Sequence, residues 1–106
     1  MDGIGFMITI VIKEPGKEAY SKEIEDELEV YHQILGGYFE AIGFDKNQIL
    51  LCDDEGKLKG LKPNLLVPGD VIVGPVIVVG TEGEEFRSLT PEEITKAIKR
   101  LNDYSI

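Results

Sequence analysis

Apolar and polar side chains alternate from Phe6 to Lys13, and this alternation predicts a β-strand with one apolar face. The segment from Glu14 to Lys17 follows, and its central proline and glycine favour a tight turn. We therefore expect a strand that ends in a turn. The predicted apolar face consists of Phe6, Ile8, Ile10 and Ile12, and the other face of Met7, Thr9, Val11 and Lys13.

Apolar residues then recur with helical spacing between Ile24 and Leu35, which predicts an amphipathic helix. Either Ser21 or Asp26 suits the N-cap, and Gly36 is expected to end the helix. Acidic residues gather early in this segment, where negative charge favours the positive end of the helix dipole. The apolar positions are Ile24, Leu28, Tyr31 and Leu35, and the acidic ones are Glu23, Glu25, Asp26, Glu27 and Glu29.

Several segments in the middle of the chain are predicted to be extended. Tyr38 to Gly43 and Gln48 to Cys52 flank a polar turn, so they are expected to form an antiparallel hairpin. A short extended piece from Leu65 to Pro68 and a longer one from Asp70 to Val79 follow. Because Pro75 has no amide hydrogen, the longer segment is expected to lie at a sheet edge or to contain a bulge.

The C-terminal part carries a strong helix signal. A polar turn from Thr81 to Glu85 precedes Thr90-Pro91-Glu92-Glu93, which matches the capping box of a helix N-terminus. An apolar stripe follows, made of Ile94, Ala97, Ile98 and Leu101. The order of elements predicts a single α+β domain spanning residues 1–106, with a small antiparallel or mixed β-sheet packed by two amphipathic helices.

Charge and composition narrow the range of partners. The formal net charge is -9, so the surface is expected to repel nucleic acid and anionic lipid. Cys52 is the only cysteine, which excludes an internal disulfide and fits a reducing cytoplasm. The longest apolar run, Val71 to Val79, is far shorter than the roughly 20 residues of a membrane span. Neither a membrane anchor nor a secretion signal is expected.

A lysine-rich segment contrasts with this acidity. Residues 53–64, which we term the lysine loop, are expected to offer backbone amides around Gly56 and Gly60 and several ammonium groups to an anionic ligand such as a nucleotide. Arg87 is a further candidate contact. Alternatively, the loop is a solvated hairpin whose lysines balance nearby acids. The candidate ligand-binding residues are Lys57, Lys59, Lys62, Asn64 and Arg87.

Catalytic chemistry is not indicated by the sequence. His32 is the only histidine, so neither a histidine-rich zinc site nor an ordinary Ser-His-acid triad is expected. Cys52 ends an apolar strand and precedes three acidic residues, which raise a thiol pKa rather than lower it. The carboxylates from Asp53 to Glu55 lack the ligand spacing of a calcium-binding EF-hand. We therefore expect no enzyme activity, metal or cofactor.

Motifs along the chain resemble the family of domain of unknown function 3846, over roughly Ile8 to Leu101. This resemblance implies a protein of bacterial phages, prophages or plasmids, but it implies no active site. Its glycines and polar turns favour a binding protein over an enzyme. The motifs are Gly36-Gly37-Tyr38-Phe39-Glu40, Asp54-Glu55-Gly56-Lys57-Leu58, Lys62-Pro63-Asn64, Gly69-Asp70-Val71-Ile72-Val73-Gly74 and Ser88-Leu89-Thr90.

Two functional hypotheses follow. In the first, a homo-oligomer sequesters a small anionic molecule, such as a nucleotide immune signal, in the lysine loop, and the edge strand at Val71 to Val79 pairs the subunits. In the second, the acidic first helix, Glu23 to Glu29, imitates DNA and blocks a host nuclease or restriction enzyme. Neither hypothesis involves direct nucleic-acid or membrane binding.

Overall fold

The computed structural model describes residues 6–106, and its larger sheet has six strands. Five of them follow the order β2-β1-β7-β4-β3, and β8 pairs with β7. All of these pairs are antiparallel, and the strands β5 and β6 form a separate antiparallel hairpin. The elements are β1 (Met7–Lys13), β2 (Tyr20–Glu25), α1 (Leu28–Leu35), β3 (Phe39–Asp45), β4 (Gln48–Asp53), β5 (Pro63–Val67), β6 (Asp70–Val73), β7 (Val76–Glu82), β8 (Glu85–Arg87) and α2 (Pro91–Tyr104).

Both faces of the larger sheet are covered, which confirms the predicted α+β class. Helix α1 covers one face, where Ile8, Ile10 and Ile12 pack with Tyr31 and Leu35. Helix α2 and the β5–β6 hairpin cover the other face, whose core is Val11, Leu50, Leu65, Val76, Val78 and Leu101. Phe6 was expected to join the apolar face of β1, but it precedes the strand and is 85% exposed.

The first helix is shorter than the sequence predicts. Ile24 lies on β2, opposite Ile8 of β1, and α1 begins only at Leu28. Most of the acids assigned to the helix therefore lie on β2 or in the link that follows it. The position of Ile24 fits both the helical and the strand spacing of apolar residues. Its segment forms a strand because Ile24 can then pair with the apolar strand β1. Gly36 ends the helix as predicted, with φ of 92° and its N–H donating to the His32 carbonyl at 2.8 Å.

The segment from Asp70 to Val79 is two strands, and the prediction of one edge strand from Val71 to Val79 is wrong. Gly74 and Pro75 separate β6 from β7. Because Pro75 lies outside both strands, its missing N–H removes no hydrogen bond between strands. Gly74 has φ of 78°, and a Cβ there would lie 2.6 Å from the Leu61 side chain. Strand β7 is central, between β1 and β4, and all its residues from Val76 to Gly80 are buried.

The remaining predictions hold with small changes of boundary. The turn after β1 forms, with Lys17 N–H donating to the Glu14 carbonyl at 3.1 Å. The β3–β4 hairpin forms, although β3 continues to Asp45. Helix α2 has both bonds of the capping box, since Thr90 and Glu93 each accept from the other's backbone N–H. Strand β8, only three residues long, was not predicted.

Candidate functional site

Lys57 lies in the turn between β4 and β5, and its ammonium group pairs with Asp70 at the start of β6. The Nζ–Oδ1 distance is 2.7 Å, and both side chains are more than half exposed. Hydrogen bonds from Lys57 and from the Val71 amide hold the pKa of Asp70 below its usual value. The positive charge of Lys57 is thus matched by a neighbouring carboxylate.

Lys59 joins the lysine loop to the body of the protein. Its Nζ donates to Asp53 at 2.8 Å and to the Gly36 carbonyl at 3.1 Å. The Asp53 side chain is only 2% exposed. Burial alone raises the pKa of Asp53, but the bonds from Lys59 and from the Glu55 amide hold it below its usual value. Lys59 therefore compensates a buried carboxylate.

Asn64 is fully buried and makes three side-chain hydrogen bonds within the fold. Its Oδ1 accepts from Lys13 Nζ at 2.9 Å, and its Nδ2 donates to the carbonyls of Lys13 and Gly74 at 2.9 and 2.8 Å. The Lys13 side chain is also inaccessible, and burial lowers its pKa. Asn64 thus holds the β5–β6 hairpin against β1 and stabilises a buried lysine.

Arg87 lies on β8, where it binds Glu93 of α2 through both carboxylate oxygens. The two N–O distances are 2.9 and 3.1 Å, and the same guanidinium donates to the carbonyls of Ser88 and Asn47. This pairing raises the pKa of Arg87 and lowers that of Glu93. Arg87 lies near the start of β4 and Lys59 near its end, roughly 17 Å apart along the strand.

The five candidate residues therefore do not converge on one site. Asn64 is buried, and Lys57, Lys59 and Arg87 are engaged by carboxylates. Lys62 is exposed and makes no ion pair with any residue from 6 to 106. The pairs that Lys59 forms with Asp53 and Lys57 with Asp70 agree with the alternative prediction that the lysines balance nearby acids. The buried partner of Asn64, Lys13, lies far away in the sequence and was not predicted.

A cavity of about 140 Å³ lies beside Lys57, and five of its thirteen lining residues are acidic. Asp53 and Asp70 are paired with lysines, whereas the other lining carboxylates form no ion pair within the described residues. Sequence reasoning missed this acidic cavity because Glu40 comes from β3, on the other side of β4. The unpaired lining acids are Glu40, Asp54 and Glu55.

A second acidic surface follows β2 and the start of α1. The segment from Glu18 to Glu29, which we term the acidic tract, has Lys22 as its one basic residue. None of its charged side chains forms an ion pair with another residue between 6 and 106, and all its carboxylate side chains but Asp26 belong to exposed residues. Its six acids are Glu18, Glu23, Glu25, Asp26, Glu27 and Glu29.

The histidine and the cysteine lie in packed surroundings. His32 stacks edge-on against Tyr38 and Phe39, at centroid distances of 5.2 and 5.6 Å. Burial and the nearby Glu40 and Asp53 raise the pKa of Cys52 to about 11, which disfavours the nucleophilic thiolate. In the described part of the chain, no three His, Cys, Asp or Glu side chains are placed to hold a metal ion.

Fold and charge together define a small, acidic α+β protein with a two-sided antiparallel sheet. The model of the family Domain of unknown function (DUF3846) matches residues 8–102. The chain therefore belongs to that family, which confirms the resemblance seen in its motifs. The comparisons with curated proteins and with solved structures found no match. No helix within residues 6–106 is long and apolar enough to cross a membrane.

Proposed function

We propose that the protein is a non-enzymatic binding protein whose acidic tract occupies the basic, DNA-binding surface of another protein. One observation carries the proposal: the tract has six acids and one lysine, and none of them is neutralised by an ion pair within residues 6–106. Outside the tract, seven of the ten lysines and arginines are paired with carboxylates of residues 6–106. The tract therefore holds the longest run of unpaired acids in the described sequence, and its negative field is not offset by neighbouring cations.

The placement of the tract supports an interaction with a rigid partner. Glu23 and Glu25 lie two residues apart on β2, so their side chains leave the same face of the sheet about 7 Å apart. Glu27, the N-cap residue, and Glu29, in the first turn, extend this charge to α1, which packs on the other face of the sheet. A basic groove that binds DNA phosphates offers complementary charge to these carboxylates.

The family resemblance supplies the biological setting of this proposal. A protein of bacterial phages or plasmids encounters host nucleases and restriction enzymes in the cytoplasm, and these enzymes carry basic DNA-binding clefts. We propose such a defence protein as the partner. Blocking its cleft counters bacterial anti-phage defence without any catalytic step.

Charge reversal within the tract tests this proposal. The protein is titrated into complexes of a labelled DNA duplex with each of a panel of purified restriction endonucleases, and DNA release is followed by fluorescence anisotropy. We expect release from at least one enzyme, weakened at least about tenfold in the variant Glu23→Lys/Glu27→Lys because the lost attraction is electrostatic. Added salt should weaken it too.

The matched control is Glu84→Lys/Glu85→Lys, which changes the net charge equally at the exposed β7–β8 turn. We expect the control to release DNA nearly as well as the natural sequence. Equal loss in both variants would show a general charge effect, and the absence of release from every enzyme would contradict the proposal.

A second candidate is sequestration of a nucleotide by a homo-oligomer through the lysine loop. It is favoured by Lys57, whose side chain lines a cavity, and by the exposed Lys62. Calorimetry against cyclic nucleotides and ADP-ribose should then give dissociation constants below about 0.1 mM. Binding should be lost in Lys57→Ala/Lys62→Ala but kept in Lys96→Ala/Lys99→Ala. The absence of binding across the panel would eliminate this candidate.

A further inference from the structure

Strand β3 forms an open edge of the larger sheet. It is the last strand in the sheet order, and no strand or side chain within residues 6–106 pairs with its outer side between Phe39 and Gly43. The opposite edge, β2, carries Lys22, Glu23 and Glu25, charges that discourage strand pairing. In contrast, β3 has no charged residue from Ala41 to Phe44. Between Ala41 and Gly43 the β3 edge therefore carries no charge that would discourage an added strand.

The hydrogen-bond pattern shows which backbone groups this edge presents. Asp54 N–H donates to the Tyr38 carbonyl at 2.9 Å, in register with the β3–β4 ladder. Antiparallel ladders alternate, so Glu40 and Ile42 direct their backbone groups towards β4. Phe39, Ala41 and Gly43 then direct their N–H and C=O groups outward, where an added strand can pair with them.

The open edge ends at Phe44 for a structural reason. The ladder shifts register between Gly43 and Asp45, and the Phe44 carbonyl accepts from the Arg100 guanidinium at 2.6 Å. Arg100 also lies over the Phe44 ring, 4.7 Å from its centroid, and pairs with Asp45. The accessible edge is thus a defined stretch of about five residues.

Two depressions lie beside β3 on the face that also carries the β5–β6 hairpin. They share Ile42 and Ile72. The first is the acidic cavity of about 140 Å³ that contains Glu40. The second has a volume of about 230 Å³ and is mainly apolar, with Phe44, Leu50, Val67, Ile72 and Tyr104 in its lining.

These features together define the chemistry of an occupant. A strand paired with β3 places alternate side chains on the depression face, about 7 Å apart. A basic side chain opposite Glu40 meets the unpaired carboxylates of the first depression. Apolar side chains opposite Ile42 and Phe44 cover the exposed part of Ile42, which is 37% exposed, and fill the second depression.

We propose that β3 binds an extended segment of another protein as an added strand of the six-stranded sheet, with a lysine or arginine opposite Glu40 and apolar residues opposite Ile42 and Phe44. Backbone hydrogen bonds supply affinity, and the two depressions select the side chains. This site lies at the sheet edge opposite the acidic tract, about 19 Å away across four strand spacings. The two sites can therefore be tested separately.

A second copy of the chain is a poorer occupant. Each copy has a net charge of -9, and pairing two β3 edges brings two acidic cavities together. Like charges oppose this association, whereas a basic segment is attracted by the same carboxylates. Charge complementarity thus favours a partner strand that carries a lysine or arginine.

Labelled peptides test the proposal by fluorescence anisotropy. The probes are Thr-Lys-Thr-Leu-Thr-Val-Thr and its reversed sequence, since either strand direction fits, both with blocked termini. We expect at least one to bind with a dissociation constant of about 0.1 mM or tighter. The same peptide with glutamate in place of lysine should bind at least about tenfold more weakly, and backbone N-methylation should abolish binding.

Two protein variants separate backbone pairing from charge. Ala41→Pro removes an outward N–H without breaking a bond to β4, so the fold should remain while binding is lost. Glu40→Lys/Asp54→Lys leaves the backbone unchanged and should weaken the lysine peptide at least about tenfold. The control Glu84→Lys/Glu85→Lys should bind normally.

Three results would overturn the proposal. The first is the absence of binding by both lysine peptides, and the second is equal binding by folded Ala41→Pro. If Ala41→Pro fails to fold, unchanged binding of the lysine peptide to Glu40→Lys/Asp54→Lys would overturn the proposal instead. The third is a dimer, detected by sedimentation, that Ala41→Pro converts to a monomer while no peptide binds; this outcome would assign the edge to a second copy.

Discussion

Replacing Asn64 with leucine is expected to lower the free energy of unfolding by about 2–4 kcal/mol, measured by urea denaturation. The substitution removes three buried hydrogen bonds and leaves the Lys13 ammonium without its side-chain acceptor. The Glu14 carbonyl, at 3.0 Å, then becomes the only remaining acceptor of Lys13 in the described chain. An uncompensated buried charge is more costly than the loss of neutral contacts.

A double-mutant cycle provides the control for this prediction. Lys13→Met removes the buried charge, so the combination with Asn64→Leu should be less destabilised than the sum of the single variants. Asn64→Asp should lie in between, because it keeps an acceptor for Lys13 but loses the two donated bonds. A loss below about 0.5 kcal/mol for Asn64→Leu, typical of surface substitutions, would contradict the role assigned to Asn64.

Glu93→Ala is expected to be the next most damaging substitution, at about 1.5–2.5 kcal/mol. Glu93 closes the capping box of α2 and binds Arg87 through both oxygens, so one change removes two contacts. The neighbouring Glu92→Ala is the matched control. Its carboxylate is 76% exposed and, among the described residues, pairs only with Lys96, so its loss should cost less than about 0.5 kcal/mol.

The pH dependence of the stability of Glu93→Gln distinguishes the contribution of the ion pair with Arg87 from that of the capping box. Pairing with Arg87 lowers the folded-state pKa of Glu93 below its ordinary value of 4.5. Its stabilisation is therefore fully present above pH 4.5 and is lost as the pH falls through the lowered pKa. The stability difference between the natural sequence and Glu93→Gln should shrink on acidification. A difference that stays constant down to pH 2 would exclude the ion pair as its cause.

Local signals explain which parts of the fold were predictable. The capping box and apolar stripe of α2 lie within one segment, so no distant contact is needed to recognise them. The strict alternation of β1 is similarly self-contained. Helix α1 was misread because Ile24 fits a helical stripe and a strand equally well, and only its pairing with Ile8 decides. Strand β8 is too short to show a periodicity.

The candidate site was less predictable because its chemistry depends on distant partners. The sequence shows that Asn64 follows a lysine-rich turn, which suggests an exposed polar group. Its actual partner, Lys13, lies 51 residues earlier. Arg87 is close to Glu93 in sequence, and this ion pair could have been predicted, since Glu93 was already placed in the first turn of α2. The hydrogen bond from Arg87 to the Asn47 carbonyl could not, because Asn47 lies 40 residues earlier in the chain.

These pairings lead to one view of how charge is used in this protein. Within residues 6–106, seven cationic side chains pair with carboxylates, among them Lys57, Lys59 and Arg87. The acids of the acidic tract have no such partners within residues 6–106. We therefore propose that recognition of other molecules depends on exposed negative charge, and that the lysine loop mainly stabilises the structure.

The most direct test is amide chemical-shift mapping by NMR, with a short oligolysine peptide and ADP-ribose titrated into parallel samples. We expect saturable shifts between Glu18 and Glu29 with oligolysine, and no saturable shift between Lys57 and Lys62 with ADP-ribose. The opposite result, with no shift in the acidic tract and saturable shifts in the lysine loop on addition of ADP-ribose, would contradict the proposed role of the acidic tract.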